Sequence, residues 1–113
     1  MIPTDAAELA NRIRAALSTR DGVREVRMFG ALCFMLDGKI LVGTMSDGSL
    51  LVRIDPERNA TLQERPGTST PEMGRGRSMG PGWLRVEPAL VDDDLDFWID
   101  EAIAFNPRAK SSR

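Results

Sequence analysis

The chain of 113 residues has no histidine and no tyrosine, a single cysteine, and lysine only at Lys39 and Lys110. Each absence removes a class of chemistry. Without an imidazole there is no Ser-His triad, no Cys-His dyad, no histidine ligand for zinc and no histidine base at neutral pH. One cysteine excludes both a disulfide framework within the chain and a paired-cysteine zinc clamp. The start of the sequence, Met1-Ile2-Pro3-Thr4-Asp5, lacks the basic and apolar stretches of a secretory signal. The longest unbroken apolar run, from Ala31 to Leu36, falls far short of the roughly 18 residues that a membrane span needs. A soluble, cytoplasmic protein with no membrane partner is expected, where reducing conditions suit the unpaired Cys33.

What is present is ordinary for a folded domain. Apolar residues make up 42% and charged residues 28%, a balance at odds with disorder. The formal net charge of −2 speaks against a dedicated nucleic-acid binder. The length is that of one domain, enough for one hydrophobic core.

Leu9, Ile13, Ala16 and Leu17 fall on one face of an α-helix, with Asp5 and Glu8 as a capping pair. Asp-Gly pairs at 21–22, 37–38 and 47–48 then punctuate β-rich runs, read as strands over residues 24–29, 32–36, 40–45 and 50–54. Asp55-Pro56 opens a second helix to about residue 64, with Asp55 as N-cap and Pro56 at the first helical position. Residues 65–82, rich in proline and glycine, read as a long loop, and residues 83–86 as a further strand. Asp92 or Asp93 caps a last helix, in which Leu95, Trp98, Ile99, Ala102 and Ile103 share a face, and Asn106-Pro107 ends it. The prediction is an α+β fold: an antiparallel sheet, a four-strand meander plus at least one further strand, with helices packed on one face. The domain spans residues 1–105, followed by a polar, flexible tail over 106–113.

A sheet covered on one face alternates apolar and polar residues. Here Cys33 and Met35 oppose Leu32, Phe34 and Leu36 yet are also apolar, and Ile40-Leu41-Val42 is apolar on both sides. Either the 65–82 segment folds back over the second face, or a subunit or protein partner covers it. Cys33 and Met35 are therefore candidate partner-binding residues.

The segment Gly74-Arg75-Gly76-Arg77-Ser78-Met79-Gly80-Pro81-Gly82 invites a phosphate-loop reading, which fails on spacing. Met79 stands where a dinucleotide fingerprint needs glycine, Pro81 and a strand follow where a helix should, and no Lys-Ser/Thr follows the last glycine. What survives is charge: Arg65, Arg75, Arg77 and Arg85 against the single acid Glu72, guanidinium forks able to grip a partner's carboxylates or phosphates. The run Asp92-Asp93-Asp94-Leu95-Asp96 starts like a calcium loop, but Phe97 and Ile103 stand where glycine and glutamate are required. Cys33, within a strand and without a base, reads as a buried apolar thiol. No catalytic residue, no cofactor and no metal are expected, and the chain is expected not to be an enzyme.

Arg27-Met28-Phe29-Gly30-Ala31-Leu32-Cys33-Phe34-Met35, Asp37-Gly38-Lys39, Leu51-Val52-Arg53, Arg77-Ser78-Met79 and Gly82-Trp83-Leu84-Arg85-Val86 together resemble the TfoX N-terminal domain family, over about residues 5–105. The chain departs from the family at Ala31, where a second glycine is usual, and in the wider spacing between Met79 and Trp83. The resemblance implies an α+β fold like that of small secretion chaperones and a link to regulators of bacterial competence, with transcriptional regulation in view. It brings no catalytic residues. Its signature positions Met28, Phe29, Gly30, Gly38, Gly82 and Trp83 are read as structural, filling the core and setting turns. The leading functional expectation is a non-catalytic regulatory, protein-binding module acting as a homodimer. The alternative is a nucleic-acid accessory factor using the arginine-rich loop 65–85, which predicts binding that weakens steeply with salt.

Overall fold

Leu9 and Ile13, one helical turn apart, are the residues that helix α1 (Ala6–Ala16) buries, together with Ala10; Leu17 continues the same stripe just past its end. The computed structural model describes residues 6–28, 31–71 and 80–109, so the expected cap at Asp5 lies outside the described residues. After α1 come β1 (Val23–Met28), β2 (Ala31–Leu36), β3 (Lys39–Met45) and β4 (Leu50–Arg53), each antiparallel to the one before. The meander therefore forms as the sequence predicts. The β2–β3 turn shows why: Asp37 and Gly38 sit at φ 55° and 80°, and the Leu36–Lys39 pair closes on those two residues. Positive φ at both central positions is the hairpin turn whose twist matches that of the strands, and Asp-Gly satisfies it with little strain.

Two further strands complete the sheet. β6 (Trp83–Val86) pairs with β4, and β5 (Thr68–Ser69) pairs with the far side of β6, giving the order β1-β2-β3-β4-β6-β5. β5 falls inside the segment expected to be loop. Two residues are too few to show alternation, and what marks this strand is its position beside β6.

α1 and α3 (Pro88–Phe105) both cover the same sheet face. Between them and the sheet lie Trp98, Phe34, Leu9, Ile13, Leu41, Leu50, Val42 and Val52, all essentially without solvent exposure. The apolar triplet of β3 has a local cause. Phe34 pairs with Val42 but Met35 pairs with Ile40, so Leu41 is an extra residue, a β-bulge. The bulge sends both Leu41 and Val42 into the helix-side core and leaves Ile40 on the other face.

The helices differ from expectation at their ends. Asp55 does cap, its Oδ1 accepting from the Glu57 N–H at 2.9 Å, but it opens only a 3-10 turn (Pro56–Arg58) and then one turn of α2 (Asn59–Leu62). The Thr68 hydroxyl lies 2.7 Å from the Gln63 carbonyl oxygen and 2.8 Å from that of Arg65, which ends the helical path there. Residues 92 and 93, expected to cap the last helix, fall inside α3. It starts a turn earlier, with Glu87 as N-cap and Pro88 in the first turn, because proline's fixed φ is ready-made for that position. The extra turn adds Val91 to the core, with Leu90 packed against it.

Nor does a loose tail begin at residue 106. Asn106–Arg108 form a 3-10 turn, Asn106 and Ala109 are buried, and Asn106 Nδ2 donates to the Leu36 carbonyl oxygen at 3.1 Å. Lys39 Nζ donates in turn to the Asn106 carbonyl oxygen at 3.1 Å, fixing the chain beyond α3 to the β2–β3 hairpin.

Candidate functional site

Side chains alternate across a strand, so the register defines what the helix-free face of the sheet carries. One row is Met28–Ala31–Met45, at the end of β1, β2 and β3. A second is Val26–Cys33–Gly43, continuing onto Leu51 of β4 and Arg85 of β6. A third is Arg24–Met35–Ile40. Ala31, Cys33, Met35 and Ile40 form an apolar cluster of their own, and Val26, Met28, Met45 and Trp83 pack around it only half-buried.

Cys33 and Met35 are exposed by 0% and 8%, so the chain itself already withdraws both expected contact residues from solvent. Burial pushes the Cys33 thiol up to about 11, which leaves it protonated and inert at neutral pH. Its neighbour Gly43 makes room for it: a Cβ there would stand 3.3 Å from the Cys33 sulfur and 3.3 Å from the Leu32 carbonyl oxygen. The apolar residues of this face that still meet solvent are Val26, Met28, Met45 and Trp83, beside the arginines Arg24, Arg53 and Arg85. The sequence reading assigned Met28 and Trp83 to the core and passed over Val26 and Met45. Only the strand register, which puts Met28 and Met45 on either side of Ala31, brings them together.

The arginines do not form one patch. Arg65 lies on the helix side, its guanidinium 3.8 Å from the Phe97 ring centroid and 3.4 Å from the Asp94 carboxylate. Arg85 lies on the opposite face of the sheet and donates to Asp47 Oδ2 at 2.6 Å. Asp47 is held well down, at about 2, chiefly by Ser49, whose N–H donates to Oδ1 at 2.9 Å, and then by Arg85. Arg75 and Arg77 lie outside the described residues.

Of the signature positions, Phe29 and Gly30 also lie outside the described residues. Gly38 serves the hairpin turn described above. Gly82 joins two elements, its N–H donating to Asn59 Oδ1 at 3.0 Å and its carbonyl accepting from the Ile54 N–H at 2.9 Å. Trp83 is stacked under Arg53, whose guanidinium carbon is 5.0 Å from the ring centroid.

Among the described residues no group of three or more acids, cysteines or histidines is placed to hold a metal ion. No helix of the described residues is long and apolar enough to cross a membrane.

The family model described as the TfoX N-terminal domain matches residues 15–106, which takes in every strand of the sheet and all of α3. Comparison with curated proteins and with solved structures gives no match.

Proposed function

The chain belongs to the TfoX N-terminal domain family, and we propose that it is a non-catalytic regulatory module that works by protein contact, as a homodimer formed through the helix-free face of its sheet. One observation carries this reading: the apolar row Met28–Ala31–Met45, bordered by Val26, whose two methionines stay half-exposed on a face that none of the described helices covers. Methionine is unbranched and polarisable, and a pair of them makes an adaptable apolar contact. A twofold contact pairs such a patch with its own copy, so apolar meets apolar with no second surface required.

The setting of this action is the cytoplasm, and the process is competence-type regulation, with an effect on transcription made through the bound protein. The assignment to a non-enzyme rests on the absence of histidine from the sequence and on a buried, protonated Cys33. The nucleic-acid alternative draws less support, since Arg65 and Arg85 are each paired with an acid and stand on opposite faces of the sheet.

Light scattering at micromolar concentration tests the reading. The wild-type chain is expected at twice its 12.4 kDa mass, and a Met28→Lys/Met45→Lys chain at the single-chain mass with an unchanged circular dichroism spectrum. A wild-type chain that stays monomeric overturns the homodimer.

A further inference from the structure

Away from the helix-free face, a cleft of about 390 Å³ opens between α1 and the ends of β1, β2 and β3. Its size is that of a small-ligand site. α1 contributes Ala10, Asn11 and Arg14; the strands contribute Arg27, Leu32 and Thr44. No acid is among the described residues that line it.

The polar groups here are not equivalent. Arg14 is already committed: Nε and Nη2 donate to the two carboxylate oxygens of Glu25 at 2.6 and 2.7 Å, and Nη1 donates to Asn11 Oδ1 at 2.7 Å. That fork neutralises Arg14 and takes the acceptor of Asn11, leaving the Asn11 amide N–H groups as donors. Arg27 is exposed and makes no ion pair among the described residues, and it is the one charge without such a pair among the described residues that line the cleft. Thr44 is only 4% exposed and lines the cleft, where its hydroxyl can donate or accept. Leu32 and Ala10 supply an apolar wall beside these groups.

We propose that this cleft binds a small organic monoanion, a carboxylate with a short aliphatic body. Arg27 pairs with the carboxylate, Thr44 and Asn11 donate hydrogen bonds to it, and the chain lies along Leu32 and Ala10. Among the described lining residues one guanidinium stands outside an ion pair, which matches a single negative charge. The cleft is independent of the dimer surface, which lies on the other side of the sheet.

The test is a titration of the full chain with hexanoate, followed by backbone amide resonances to about 10 mM, beyond the ~1 mM affinity of a weak small-ligand site. Saturable shifts are expected at Ala10, Asn11, Arg27, Leu32 and Thr44. Arg27→Gln is expected to weaken binding about tenfold or more, as loss of a charge-assisted hydrogen bond does. Thr44→Val keeps the shape and loses the hydroxyl, and is expected to weaken binding several-fold. Arg24→Gln, on the opposite face of the same strand, is expected to bind as wild type does. Shifts that fail to saturate overturn the proposal, as does equal affinity in the Arg27→Gln chain. Inorganic phosphate binding as tightly as hexanoate overturns the aliphatic monoanion as the ligand class.

Discussion

Gly43 and Cys33 face each other across β3 and β2, and the missing side chain of the one is the space that the sulfur of the other fills. A Cβ on Gly43 meets the Leu32 carbonyl oxygen as well as the sulfur, each at 3.3 Å, and the backbone of a central strand gives little. Overpacking of this kind costs about 1–3 kcal/mol, more than the roughly 0.5–1 kcal/mol gained by replacing a strand glycine. Gly43→Ala is therefore expected to lower the urea midpoint. In a double-mutant cycle its cost is expected to shrink when Cys33→Ala is present, since only the Leu32 contact then remains. A stabilising Gly43→Ala would contradict this packing.

The chain after α3 is held by the buried side chain of Asn106, which satisfies the Leu36 carbonyl. Asn106→Ala removes that buried hydrogen bond, at a cost of about 0.5–1.5 kcal/mol. For a domain of this size the expected loss in melting temperature is roughly 4–8 °C per kcal/mol. Truncation after residue 105 is expected to cost at least as much, and calorimetry on the two chains checks the order.

Asp47 carries the acid sensitivity of the β3–β4 turn. Its folded value of about 2 lies below the ordinary value of 3.8, so the folded chain binds its proton less readily than the unfolded one. The stabilisation is therefore complete above about pH 4 and is lost as pH falls through about 2. Asp47→Asn is expected to flatten the stability profile in that window and to leave its shape near neutrality unchanged. Denaturation series between pH 2 and 5 measure it, and the carboxyl carbon shift of Asp47 reports the titration directly.

Turn chemistry and short apolar runs made the β1–β4 meander and β6 legible, since Asp37-Gly38 admits few other conformations and sits between two runs too short for helices. The bulge at Leu41 was not legible, because an extra residue reads in sequence as an apolar run; only pairing with β2 shows which of Ile40, Leu41 and Val42 face the helices. The start of α3 was legible in principle: Glu87-Pro88 repeats the acid-proline opening of Asp55-Pro56, but the aspartates at 92–94 make the stronger-looking cap. The arginines looked like one cluster because they are near in sequence, whereas Arg65 precedes β5 and turns to α3 while Arg85 alternates onto the other face of β6. Met28 and Met45 are 17 positions apart and meet only through Ala31, a relation that no local pattern carries.

The central claim is self-association through the helix-free face, and the methyl resonances of Met28 and Met45 test it most directly. Methyl-labelled chain diluted from roughly 1 mM to roughly 1 μM spans weak to moderate dimer affinities. The Met28 and Met45 signals are expected to shift together along one dissociation curve, while buried Met35 holds its position. Met28 and Met45 signals that stay fixed over that range, in a chain that light scattering finds monomeric, would contradict the account.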